Sequence, residues 1–484
     1  MKMDQETNKF LHSRYNPQAE ADRYINSLSL NENIRFFILI EPGLGYIIGP
    51  LKKKYPSAGI ISLHAGEHLQ DKPAGNLSPP DSEWRPGTGS SVQDFLENEI
   101  SDAEAAEIKV LEWRPALAVY GRAYLALVEE TINFIKRADA NARTTKAFAK
   151  RWTKNFFRNI GIVKKVICPE QFSAPIVVAG AGPSLESAIP LIVDGSEKRT
   201  AFILASASSV MALETQNLVP DMAISTDGGN WAALHLHECL RGTGPHKNKD
   251  GFPIAASMTA ALPSQCGAMR ILPISDGSLW QGLVLNALEI PFVTLPQRGT
   301  VSASAIDLAF GLTKGSVFIA GMDLSNRGIR SHARPYSFDR LFEEQANRLN
   351  PVYSQAFKRS SLMEKGGSYA IYAAWFKKQL TTYPRRLFPL GKNNPIFNPL
   401  EGGSFESCGG DKTTQFNFKT VTLKHIESPA IKAAGVLEKA LLDSGPVSGK
   451  LRGELASLLF CGSSDVSSND LIEAIYLLAG RGKR

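Results

Sequence analysis

No stretch of the 484-residue chain holds the roughly 18 consecutive apolar residues that a membrane-spanning helix needs, so none is expected to cross a bilayer. The opening segment MKMDQETNKFLHSRYNPQ is polar and lacks the apolar run of a secretory signal, which points to a cytoplasmic protein. Cysteine is scarce: the five residues Cys168, Cys239, Cys266, Cys408 and Cys461 are scattered, form no CxxC and exclude a disulfide framework or a cysteine zinc site. No Asp-x-Asp occurs anywhere, and no metal site is expected. What is present, 43% hydrophobic and 21% charged residues, is the composition of a folded globular chain rather than a disordered or collagenous one. At about 150 residues per domain the length fits two to four domains.

The formal net charge is +7, and much of it is local: residues 136–165 hold ten Lys/Arg against one Asp. Phe134, Phe148, Trp152, Phe156 and Phe157 lie in or beside this stretch. Three readings fit such a segment. It is a nucleic-acid or membrane-surface helix, a linking helix with its aromatic stripe packed inward, or a dock for an acidic protein acceptor. The linking helix is preferred, and no nucleic-acid partner is expected.

Before it, IRFFILI (34–40), the glycine turn EPGLGYIIG and GIISL (59–63) read as strand, turn and a further strand. Pro42 and Tyr46 break a nucleotide fingerprint at that turn, leaving a structural Rossmann-like domain. His64-Ala65-Gly66-Glu67-His68 matches an HxxEH zinc pattern, but Gly66 and the preceding strand oppose the helix that such chemistry requires. His235 and His237 are two apart, which on a helix puts them on different faces.

From residue 174 the chain alternates short buried strands (APIVVAG, TAFILAS, DMAISTD, FPIAAS, MRILPIS, IPFVTLP, SVFIAGMDL) with helical segments. This predicts an α/β fold with a doubly wound, mostly parallel Rossmann-like central sheet. The expected division is an α/β N-terminal domain over 1–135, a basic helical connector over 136–170, a catalytic domain over 171–340 and a mainly helical C-terminal domain over 341–484. In such sheets ligands bind beyond the carboxyl ends of the strands.

Five strand-end or helix-start loops carry candidate chemistry. Gly180, Gly182, Pro183 and Ser184 form a glycine turn into a helix, suited to a phosphate or to turn geometry alone. Pro183 and Ser184 exclude GxGxxG spacing, and no Gly-Lys-Ser/Thr follows to make a Walker loop. Ser206 ends the next strand. Asp227, followed by two glycines, suits a ribose hydroxyl, a metal or an Asx turn. Gly299, Thr300 and Ser302 open a helix with small hydroxyl residues, as anion donors or as caps. Asp323 ends a strand with His332 and Tyr336 downstream, a candidate acid/base group.

Together GAGPSL (180–185), PDMAISTD (220–227), GTVSASAIDLAFGLT (299–313) and FIAGMDL (318–324) resemble the motility accessory factor family. GLGY (43–46) and FNPLEGGSF (397–405) are weaker marks. The central part also resembles bacterial sialyltransferases. The resemblance implies a glycosyltransferase, metal-independent and inverting, that moves a nonulosonic acid from a CMP-activated donor to Ser/Thr of flagellin. No tightly bound cofactor is implied. Gly180, Gly182, Pro183 and Ser184 would cradle CMP, with Ser206, Asp227 and Gly299 lining the cofactor-binding side. Thr300 and Ser302 would lie near the phosphate or sugar carboxylate. Asp323 would bound the site, His332 would be the base, and Tyr336 would bond the leaving phosphate. Ala181 replaces the sialyltransferase asparagine, and Leu324 stands where a tyrosine follows the aspartate. Two other functions remain open. One is a hydroxymethylpterin diphosphokinase-like transferase, with Asp227 and Asp323 on magnesium. The other is a non-catalytic flagellin-binding accessory protein.

Overall fold

The computed structural model describes residues 10–28, 34–66, 77–100, 104, 107–192, 201–241, 252–365, 368–380, 383–391, 395–397, 418–460 and 466–480. Cys408, Cys461, Glu67, His68 and residues 398–405 of the FNPLEGGSF motif lie outside them. The chain forms two compact units, residues 1–149 with 456–465, and residues 150–455 with 466–484.

The first unit is built on four parallel strands, β1 (Phe36–Ile40), β2 (Gly59–Leu63), β3 (Ser82–Trp84) and β4 (Ile108–Glu112), in the order β3-β2-β1-β4. The run IRFFILI is apolar throughout because β1 is central, and Phe37 to Ile40 are fully buried. Around the sheet lie α1 (Pro17–Ser27), α2 (Ile48–Lys54), α3 (Val92–Glu99), α4 (Pro115–Tyr120) and the first part of α5 (Arg122–Ile162). The glycine turn after β1 serves packing. A Cβ on Gly43, whose φ is +63°, would stand 2.3 Å from His12 Nε2, the atom that accepts the Leu44 N–H. His64 directly follows β2, so it sits at a strand end rather than on a helix. Its Nδ1 is 3.3 Å from Glu41 and its Nε2 is 3.2 Å from Glu83.

The second unit holds a ten-stranded sheet: β5 (Lys165–Cys168), β6 (Ile176–Ala179), β7 (Phe202–Ser206), β8 (Met222–Ser225), β9 (Ile254–Ser257), β10 (Arg270–Ser275), β11 (Val293–Thr294), β12 (Val317–Ala320), β13 (Leu387–Pro389) and β14 (Lys419–Thr422). The order is β13-β12-β6-β7-β8-β9-β10-β5-β14, with β11 beside β10; only β14 runs antiparallel. The α/β, mostly parallel architecture read from the sequence is thus the observed one. The last two strands arise from the region read as mainly helical. Otherwise that region gives α11 (Asp339–Glu344), α12 (Val352–Lys365), α13 (Ser368–Gln379), α14 (Pro429–Leu442), α15 (Pro446–Phe460) and α16 (Ser468–Leu478). Between the central strands run α6 (Leu185–Ile192), α7 (Val210–Glu214), α8 (Ala232–Arg241), α9 (Leu279–Ala287) and α10 (Val301–Leu312).

Alternation along the strands decides which helix covers which face. Val177, Ala179, Ile203 and Ala205 pack with Leu185 and Ile189 of α6 and with Val210 and Leu213 of α7. Ile176, Val178, Phe202 and Leu204 pack with Ala305, Ile306, Ala309 and Leu312 of α10 and with Phe376 of α13.

The basic stretch is one helix, α5, of 41 residues. Of its aromatic residues Phe134, Phe156 and Phe157 are buried, Trp152 is half-buried and Phe148 is exposed, as are Lys146, Lys150 and Lys154. The stripe of the linking-helix reading is thus inward except at Phe148. Its last turns are fastened by side-chain amides. Asn159 Nδ2 donates to the carbonyls of Met258 and Ala260 at 3.0 and 2.8 Å, and Asn155 Nδ2 donates to those of Gly228 and Thr259 at 3.1 and 3.0 Å.

Candidate functional site at the carboxyl edge of the central sheet

From β6 the chain proceeds through β7 to β8, whereas β12 lies on the other side of β6 and leads to β13. The connections therefore diverge between β6 and β12, and the crevice beyond that point is where doubly wound sheets bind ligands. The loops Gly180–Ser184 and Gly321–Asp323 meet there.

They interlock through main-chain atoms. Gly180 N–H donates to Ala320 O at 2.8 Å, Gly182 N–H donates to Gly321 O at 2.8 Å, and Ser184 N–H donates to Asp323 Oδ2 at 2.7 Å. Close approach explains the glycines. A Cβ on Gly182 would lie 2.3 Å from Asp323 Oδ2, and one on Gly180 would lie 2.6 Å from Gly321 O. Asp323 thereby places an internal carboxylate at the N-terminus of α6, the place that the loop reading gave to a ligand phosphate. The Ser184 hydroxyl is buried without a hydrogen-bond partner, a polar group turned toward nothing in the protein.

The other sequence candidates line the same edge. Ser206, at the end of β7, is bonded to Ser209 Oγ at 3.1 Å, and Ser209 Oγ donates to Ala179 O at 3.0 Å. Asp227 follows β8, is exposed, and accepts the Gly229 N–H at 2.7 Å in an Asx turn. Gly228 is required by packing, since its Cβ would stand 2.3 Å from Trp152 of α5. Thr300 caps α10, accepting the Ser302 N–H at 3.1 Å, and Gly299 before it has φ +72°. Asp227 and Asp323 follow strands three positions apart in the sheet, roughly 14 Å at the usual strand spacing.

His332 and Tyr336 are brought together in a second cluster on the loop after β12. Their rings stack with centroids 4.1 Å apart. His332 Nδ1 is engaged by Ser331 Oγ at 2.8 Å, which leaves Nε2 as its other ring nitrogen. Three elements that sequence reasoning did not assign to the site complete it. From α8, His235 reaches Ser337 Oγ at 3.0 Å and lies 5.5 Å from the Tyr336 ring. From α12, Arg359 donates to the Tyr336 hydroxyl at 2.9 Å and covers the Phe338 ring at 4.6 Å. From α13, Tyr369 donates to Asn326 Oδ1 at 3.2 Å, and its hydroxyl pKa is raised to about 12, chiefly by burial and further by Asp323 and Glu364. One turn on, the Tyr372 hydroxyl is raised by burial and then by the charge of Asp227, and Trp375 lies against Arg298 at 5.8 Å. Along α13, Tyr369 and Tyr372 thus feel the charges of Asp323 and Asp227, and Trp375 lies against Arg298.

Burial holds both histidines neutral. His332 is depressed to about 3, by burial and then by Arg359, His235 and Arg334, and His235 to about 4, by burial and then by Arg359. Both unfolded-state values lie near 6.5. The neutral state is the one the fold accommodates, so stability is full above pH 6.5 and falls as protons bind preferentially to the unfolded chain below it. For His235 the loss between pH 6.5 and 4 is on the order of 3 kcal/mol. Denaturant melts at pH 7 and pH 4.5 should therefore show a steep acid loss that His235→Gln reduces. An unchanged slope in the variant would contradict the assignment.

Residues 150–328 match the family model described as 6-hydroxymethylpterin diphosphokinase MptE-like. The fold of the chain is shared with the MAf glycosyltransferase from Magnetospirillum magneticum AMB-1, at a TM-score of 0.51 and 11% identity, over 99% of this chain and 85% of that one. The shared fold supports the motility accessory factor resemblance read from the loops. An uncharacterised protein of Treponema pallidum (strain Nichols) is 26% identical over 297 residues. That match covers 60% of this chain, which spans about 61% of the relative's length. Among the described residues no helix is long and apolar enough to cross a membrane.

Proposed function

We propose that the protein is a glycosyltransferase that moves a nonulosonic acid from its CMP-activated form to serine or threonine hydroxyls of flagellin. The observation that carries this reading is that the loop bearing a neutral histidine, His332, is joined to the Gly180 loop by the Ala333 N–H to Ala181 O bond at 2.8 Å. A nonulosonate donor breaks its anomeric C–O bond, and the electron pair leaves with the CMP phosphate while positive charge develops on the sugar. The acceptor hydroxyl attacks the opposite face, giving inversion, and its proton passes to a base. His332 Nε2 is the candidate base, held by Ser331 on the other nitrogen. The buried Ser184 hydroxyl and Tyr336 O–H are candidate donors to the phosphate, beside Thr300 and Ser302 at the start of α10.

The diphosphokinase reading draws on the MptE-like match and needs carboxylates on magnesium. Asp227 and Asp323 do not fit one shared ion. Each is held by a backbone N–H, and they stand about three strand spacings apart. Thermal melts with CMP, CDP, UDP, ATP and NAD, with and without magnesium, separate the readings. CMP at about 100 times its dissociation constant should stabilise by roughly 2.7 kcal/mol without magnesium. Stabilisation by ATP only with magnesium would overturn the glycosyltransferase reading.

A further inference from the structure

Arg359 has no carboxylate within ion-pair distance among the described residues, and its Nε is buried without a hydrogen-bond partner. Its surroundings are rings. The guanidinium lies 4.6 Å from the Phe338 centroid, 5.5 Å from Tyr336 and 6.0 Å from Phe342, and one N–H is held by the Tyr336 hydroxyl. The neighbouring acidic groups are committed elsewhere: Asp339 to Arg334 and the Tyr336 N–H, Glu364 to Asn326, Glu186 to Arg330, and Asp323 to the Ser184 N–H. Cation–π contacts offset part of the cost of removing a guanidinium from water, but they do not neutralise it. A half-buried cation with no counter-ion, set beside the switch-point crevice, calls for an external one.

We propose that Arg359 is the anion receptor of this site, binding an oxyanion of the donor (its phosphodiester or its sugar carboxylate), and that anion binding there releases His332 and His235 to take up protons. This deepens the glycosyltransferase reading and rests on it for the identity of the anion. The geometry gives the coupling: the Tyr336 ring, whose hydroxyl takes the Arg359 N–H at 2.9 Å, lies 4.1 Å from the His332 ring and 5.5 Å from that of His235. Arg334 and Tyr336 on that loop, Asp339 on α11 and Tyr369 on α13 are the other titratable or charged neighbours. The positive charge of Arg359 opposes protonation of both rings. An anion seated on it offsets that part of the depression, while burial, the larger cause, remains, so His332 is a stronger base with donor bound than without. Asp323 already occupies the N-terminus of α6, and Arg359 is bonded to Tyr336 on the loop whose Ala333 N–H donates to Ala181 O at 2.8 Å.

The test uses the full chain with histidine labelled at the ring carbon, titrated by NMR with CMP, inorganic phosphate or N-acetylneuraminic acid. His235→Gln and His332→Gln assign the signals. The expected result is that a saturating anion raises the midpoints of His332 and His235 by one unit or more. Arg359→Gln should raise them with no ligand present and weaken CMP binding at least tenfold. Arg359→Lys, which keeps the charge and guards against a folding defect, should keep the low midpoints while weakening anion binding. If CMP alone acts, the receptor serves the phosphate; if the free sugar acid alone acts, it serves the carboxylate. Equal CMP affinity in Arg359→Gln, or binding that leaves both midpoints unmoved, would overturn the proposal. Anion-linked midpoints without sugar transfer would instead sink the glycosyltransferase reading and leave the receptor standing.

Discussion

Gly182→Ala is expected to cut activity on the order of 100-fold while leaving a folded chain. The added methyl would sit 2.3 Å from Asp323 Oδ2 and 2.7 Å from Gly321 O, and neither can retreat freely. Gly321 is fixed by its own approach to Gly180, and Asp323 is held by the Ser184 N–H. Relief requires the two loops to part. The overpacking costs about 1–3 kcal/mol, which a unit of this size survives. A displacement of Ser184 and Asp323 by an ångström costs far more in rate, on the order of 100-fold. A melting temperature a few degrees below wild type with transfer lowered on the order of 100-fold is the expected pair of observations. Full transfer in Gly182→Ala would mean that the interlocked loops are remote from the reaction.

The second large effect is on stability. Asn159→Ala should destabilise the second unit by roughly 3 kcal/mol, because the buried carbonyls of Met258 and Ala260 lose their shared donor. The asparagine is fully buried, so water cannot substitute. Urea unfolding would show a shifted midpoint with little change in slope. Lys154→Ala, on the exposed side of the same helix turn, should stay within about 0.5 kcal/mol of wild type. If both variants behaved alike, the amide clamp would not be what fastens α5.

Much of the fold was legible because short apolar runs ending in glycine or small polar residues can hardly be anything but buried parallel strands. APIVVAG, TAFILAS and DMAISTD became β6, β7 and β8 within a residue or two. The glycines of the Gly180 loop were legible as well, but their purpose was not. Spacing alone suits a phosphate turn, whereas the structure shows backbone approach between two loops that are 141 residues apart, Gly180 to Gly321. Asp227 was read with a ribose, a metal or a turn as its partner; its carboxylate is seen on the Gly229 N–H. Arg359 and Tyr369 were invisible, and His235 was weighed only beside His237. Arg359 stands in an ordinary amphipathic segment, FKRSS, and nothing local distinguishes it from a solvated helix charge. Only the packing of α8, α12 and α13 onto the β12 loop brings these residues to His332. The edge strands β13 and β14 were missed for a related reason. They are three and four residues long, and tertiary pairing rather than local pattern makes them strands.

The most direct test of the central claim is the intact mass of purified flagellin after incubation with this protein and a CMP-nonulosonate. The account predicts a mass increase of one sugar residue per modified site, matched by CMP release, unaffected by EDTA and absent with His332→Gln. Flagellin of unchanged mass, with the donor consumed only in step with spontaneous hydrolysis, would contradict it.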